Sequence, residues 1–154
     1  MKRVLLTLLA MLPLISCSGK DLPDEDNGNN GETPQTETSM KIQVTDGSHT
    51  VVFELNDTTV AKSLYDQLPI TVDVDNYSSN EIIFYPPTAL STSGGKEGDC
   101  PVGTLAYFSP WKNVVMYYGA ASRYSGLYLL GSATEGKDQI KNLSGRITVT
   151  KNNN

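Results

Sequence analysis

From Lys41 onward, apolar side chains recur at every second position in short runs broken by turn residues. That period places alternate side chains on opposite faces of a strand, so this part of the chain is confined to short, half-buried strands. "KIQVT" and "SHTVVFEL" flank Asp46-Gly47, a strong hairpin signal. With a two-residue turn, Thr45 pairs with Ser48, Val44 with His49 and Ile42 with Val51. Ile42, Val44, Val51, Phe53 and Leu55 then share one face, and Lys41, Gln43, Thr50 and Glu54 the other.

The remaining segments extend this plan. "NDTTVAKSLYDQLP" predicts a short helix capped at Asp57 or Thr58, with Val60, Ala61, Leu64 and Leu68 on one face and Pro69 as its stop. "ITVDVDNY" and "EIIFY" predict strands. Residues 88–103 form a long Gly- and Ser-rich loop, of a length that is often functional or mobile. "GLYLLGSAT" is a strand with Gly131 at a bulge or close approach. "GKDQIKNLSG" holds a turn or two of helix, and "RITVT" is the last strand before an Asn-rich end, 152–154, expected to fray. The fold class is mainly β: about eight strands and two short helices. Such strands suit a closed barrel, which leaves no unpaired edge.

Residues 104–119, "TLAYFSPWKNVVMYYG", break the alternation, because both faces of this hairpin are apolar. With 109–113 as a five-residue loop, Phe108 pairs with Val114. Leu105, Tyr107, Val115 and Tyr117 then share one face, and Ala106, Phe108, Val114, Met116 and Tyr118 the other. One face lines a core. The other is either covered by the helices and the 88–103 loop or is the floor of a ligand groove. Phe108, Met116 and Tyr118 would form that floor, with Tyr85, Trp111 and Arg123 as walls.

The first sixteen residues stand apart. Lys2 and Arg3 precede an apolar run, Val4 to Ile15, of signal-peptide length. It ends in "LISC", residues 14–17, which resembles the bacterial lipobox. That resemblance implies cleavage before Cys17, acylation of Cys17 and anchoring in the cell envelope. Ser18 after the cysteine points to the outer membrane. Residues 17–39 then form an acidic, disordered tether, with six acids against Lys20. Without Lys2 and Arg3 the chain has 10 basic and 17 acidic residues, a net of −7, of which the tether carries −5. No basic patch suggests nucleic-acid binding. A monomer is expected.

Few residues offer chemistry. His49 is the one histidine and lies beside a turn, where exposure is expected. One histidine and one further cysteine, Cys100, give no metal-ligand spacing, and no cofactor motif occurs. With Cys17 acylated, Cys100 has no disulfide partner and reads as a small, partly buried residue. Asp73 and Asp75 share a strand face that reads as solvated.

Eight strands with one early and one late helix resemble the cyclophilin barrel plan. "LP" at 68–69, "NEIIFY" at 80–85 and the pattern "P-x-G-x-LAYF-x-PW-x-N-VVMYYG" over 101–119 resemble the small bacterial cyclophilin-like family. The resemblance spans residues 40–151 and implies a ligand groove on the outside of the barrel wall. Cyclophilin catalysis places an arginine over the prolyl nitrogen to stabilise the twisted amide. The corresponding stretch, "ITVDVDNYSSNEIIFY", contains none, and the domain's arginines are Arg123 and Arg146. The expectation is a non-catalytic binding or accessory domain for a peptide or small molecule. The alternatives are a divergent prolyl isomerase and a structural envelope component.

Overall fold

The computed structural model describes residues 39–154. The signal segment, Cys17 and all of the tether before Ser39 lie outside the described residues.

Eight antiparallel strands close into one barrel. They are β1 (Lys41–Thr45), β2 (Thr50–Leu55), β3 (Ile70–Tyr77), β4 (Glu81–Phe84), β5 (Thr104–Phe108), β6 (Asn113–Tyr117), β7 (Leu127–Glu135) and β8 (Arg146–Asn152). Around the barrel the order is β1-β2-β7-β5-β6-β4-β3-β8, and β8 pairs back onto β1. Helix α1 (Thr59–Tyr65) follows β2, and a 3-10 helix (Lys137–Asn142) precedes β8. β8 runs through Asn152, which stands opposite Lys41, so the strand reaches one residue into the end expected to fray.

The interior is filled by inward side chains from every strand, including Phe53, Phe84, Tyr107, Leu105, Met116 and Ile147. Helix α1 adds Val60, Ala61 and Leu64, and the 3-10 helix adds Ile140. Thr58, not Asp57, caps α1: its hydroxyl accepts from the Ala61 amide at 3.3 Å, satisfying a donor that the first turn leaves free. Two bulges mark β7. At one of them Leu130 stands between residues paired to Leu105 and Ala106, and the neighbouring Gly131 packs against the Glu54–Leu55 backbone so closely that a Cβ there would collide with the Glu54 carbonyl.

The first hairpin turns over four residues rather than two. Asp46 Oδ1 accepts from the backbone amides of Ser48 at 2.9 Å and His49 at 2.7 Å, and its Oδ2 meets His49 Nδ1 at 3.0 Å. This carboxylate-centred turn outcompetes the Asp-Gly type I′ turn. Thr45 therefore pairs with Thr50, and Val44 with Val51. The register moves by two positions, which leaves every side chain on its expected face. His49 is half-buried rather than fully exposed.

The loop over 88–103 is tied down along its length. The Leu90 amide donates to the Tyr107 hydroxyl inside the barrel at 3.2 Å, and Ser91 N donates to Ser63 Oγ at 3.1 Å. Further on, Glu97 bridges Tyr128 and Cys100 bridges Ala121 as isolated ladder pairs.

Candidate functional site

The hairpin of β5 and β6 has a four-residue loop, 109–112. Lys112 takes a left-handed conformation (φ 59°) and Asn113 enters the strand opposite Phe108. The register differs by one from the sequence expectation, and a one-residue slip exchanges the faces of β6. Leu105, Tyr107, Val114 and Met116 point into the barrel. Ala106, Val115 and Tyr117 belong instead to a second apolar cluster outside the wall, with Ile83, Cys100 and Leu127, and Phe108 packs against it.

This exterior cluster accounts for the second apolar face. One part lies beneath the 97–103 segment. Cys100 is fully buried there, and burial, followed by the charges of Asp99 and Glu81, pushes its thiol up to about 11, so it is not a thiolate at neutral pH. The other part is open. It forms a cleft of about 750 Å³ lined by Tyr77, Glu81, Phe108, Trp111, Asn113 and Tyr124 among others, with Val115, Tyr117 and Leu127 also on its surface.

Four segments build the rim. Trp111, from the hairpin loop, stands edge-to-face with Tyr77 at the end of β3 (centroids 5.1 Å apart) and with Phe108 of β5 (5.5 Å). Phe108 in turn meets Tyr124, in the loop between β6 and β7, at 5.8 Å. Tyr77, Trp111 and Tyr124 remain 44%, 47% and 65% exposed, although large apolar rings are normally buried when a fold can cover them.

Three polar groups of the cleft form a single cross-strand row. Tyr77 on β3 faces Glu81 on β4, which faces Tyr117 on β6. Burial pushes the Glu81 carboxyl above its ordinary value, while the neighbouring Tyr117 hydroxyl pulls the other way. Burial, aided by the Glu81 charge, raises the Tyr117 phenol well above its ordinary range. Asn113 is 1% exposed, and its Oδ1 has no hydrogen-bond partner among the described residues. A buried acceptor left without a donor costs about 1–3 kcal/mol.

Of the sequence-predicted groove residues, Phe108 and Trp111 line this cleft. Met116 does not: it is fully buried inside the barrel, because the β6 register is one residue from that expected. Tyr118 is half-buried against the barrel core and its hydroxyl donates to Asn76 Oδ1 at 3.0 Å. Tyr85 is half-exposed but lies outside the lining. Arg123 also lies outside it. Its Nη2 contacts Glu97 Oε2 at 3.1 Å, and its backbone amide donates to Asp99 Oδ1 at 2.8 Å. Arg146 pairs with Asp73 across the β3–β8 ladder, Nε to Oδ1 at 3.0 Å. Tyr77, Glu81, Asn113 and Tyr124 were not foreseen. Asn113 read as a turn residue, and the row through Glu81 depends on strand neighbours that local patterning does not reveal.

Among the described residues no cluster of His, Cys, Asp or Glu could hold a metal ion.

No curated protein matches the chain. Its fold resembles the solution structure of the hypothetical protein AF2241 from Archaeoglobus fulgidus, with a TM-score of 0.63 at 18% identity, covering 77% of this chain and 99% of that one. The model of the cyclophilin-like family matches residues 44–151, which run from β1 to the penultimate residue of β8. With the closed eight-stranded barrel and its two short helices, that match establishes that the chain belongs to the cyclophilin-like family.

Proposed function

We propose that this is a lipid-anchored protein of the bacterial cell envelope, acylated at Cys17. Its cyclophilin-like domain would serve as a non-catalytic binding module for a peptide segment or small molecule. The observation that carries the binding role is the exposed ring series Tyr77–Trp111–Phe108–Tyr124 around an open cleft on the outside of the barrel. A structural component with no ligand would gain nothing from leaving three large rings in water.

The disposition of the arginines supports a role without isomerase chemistry. No arginine lines the cleft, and Arg123 and Arg146 are engaged with Glu97 and Asp73. A preorganised cation over a twisted prolyl amide is therefore not supplied by the lining residues. A protease-coupled proline-peptide assay is expected to run at the uncatalysed rate.

Trp111 is the chain's one tryptophan, so its emission reports directly on the cleft. Titration with peptide and metabolite panels should find ligands that shift or quench it saturably. A panel that leaves both emission and calorimetric heat unchanged would remove the binding role. Metabolic labelling with a fatty-acid analogue should mark the chain, and Cys17→Ser should abolish the label.

A further inference from the structure

The chemical character of the cleft narrows its ligand. Its lining includes one carboxyl group, Glu81, and no lysine, arginine or histidine. Glu81 is half-buried and forms no ion pair among the described residues. Both arginines of the described residues are already paired. A carboxylate partly removed from water without a counter-charge is costly, and an incoming cation removes that cost.

The rings add to the same preference. Their planes cross at 86°, 73° and 65°, so they wall the cleft on several sides instead of stacking into one flat platform. Aromatic faces attract cations within about 6 Å of the ring centroid, by about 0.5–2 kcal/mol each. The fold already uses this contact elsewhere: Lys151 Nζ lies 4.4 Å from the centroid of Tyr65. The unpartnered Asn113 Oδ1 calls for an N–H donor. A neutral apolar ligand would leave Glu81 without a counter-charge and Asn113 Oδ1 without a donor, and an anion would be repelled by Glu81.

We propose that the cleft receives an organic cation carrying N–H donors, an alkylammonium or guanidinium head, held between the rings of Tyr77, Trp111, Phe108 and Tyr124 and the Glu81 carboxylate. The inference rests on the binding role of the cleft and specifies its ligand class. Its source is either a free small cation or a Lys or Arg side chain of a peptide; the head group is common to both.

The test uses calorimetry and Trp111 emission on the full chain, with putrescine, N-acetyl-lysine-methylamide and neutral N-acetyl-norleucine-methylamide as probes. At least one cation is expected to bind about tenfold or more tightly than the norleucine compound, the scale of one cation–π or charge contact. In Glu81→Gln, which keeps the side chain's size but not its charge, that preference should fall several-fold, leaving the part that the rings supply. Putrescine alone binding would make the ligand a free cation; the lysine compound alone binding would make it a protein side chain. No preference for either cation over the norleucine compound, or a preference undiminished in Glu81→Gln, overturns the inference but leaves a binding cleft. No binding by any probe overturns the inference, and silence across the wider panels as well would remove the binding role itself. A self-associated form that buries Trp111 without ligand, seen by sedimentation, would assign the cleft to a second copy and also overturn the inference.

Discussion

Glu81 stands directly opposite Tyr117 across the β4–β6 ladder, outside the barrel, with its carboxyl half removed from water. Burial raises its pKa, so the folded state holds the proton more tightly than the unfolded chain does. The groups facing it are Tyr77 from β3, Tyr117 from β6 and Cys100 from the covering loop, none of them cationic. Its contribution to stability is therefore full below the unfolded carboxyl value and is lost as pH rises through the raised folded value. Glu81→Gln should raise the melting temperature at pH 7 and leave it nearly unchanged at pH 4. Paired thermal melts at the two pH values check this, and equal gains at both would refute the burial argument.

Asp46 shows the opposite sign. Its hydrogen bond with His49, then those with the backbone amides of His49, Ser48 and Ser144, holds its carboxyl well below the usual range despite partial desolvation. That contribution is present above the unfolded carboxyl value and is lost as pH falls through the folded one. Asp46→Ala should cost about 1–2 kcal/mol at neutral pH, the scale of losing hydrogen bonds to a charged acceptor. Urea titrations should show wild type and variant converging at strongly acidic pH.

Met116 is a core residue although it lies in the motif that suggested a groove. Met116→Ala should destabilise the fold by about 2–5 kcal/mol, as expected for a buried large-to-small change. Chemical denaturation measures the loss. At permissive temperature the folded fraction should keep its ligand affinity, because the side chain points away from the cleft.

Gly131 tolerates no side chain. A Cβ would run into the Glu54 carbonyl and the Leu55 backbone, neither of which is the free end of a flexible group. Gly131→Ala should cost about 3 kcal/mol or more by separating β7 from β2. Amide exchange at Asn56, which donates to the Leu130 carbonyl of β7, should report the opening, while Leu55, which donates to Met40 on the β1 side, should stay protected.

The two hairpins show how much of this architecture was legible locally. In both, the strands were evident from alternation, and in both the turn length was misjudged. At Asp46 the error was two positions and harmless, since side chains repeat their facing every second residue. At Asn113 the error was one position, and it exchanged Met116 and Tyr118 for Val115 and Tyr117 on the outer face. Asn113 belongs to the strand because Lys112 takes the left-handed turn position, which residue preferences do not assign to lysine. Trp111 and Phe108 were legible as cleft-lining residues because they lie in the motif itself. Tyr77 and Glu81 were not, because β4 lies between β3 and β6 only once the barrel has closed.

The ring order has a consequence for orientation. β6, the centre of the cleft wall, is four strands from β1 in either direction around the barrel. The described chain enters the barrel at β1, so that entry point and the open cleft lie on opposite walls. The barrel thus keeps the full width of the domain between the point where the chain enters and Trp111, so a molecule seated in the cleft would not meet the entering strand.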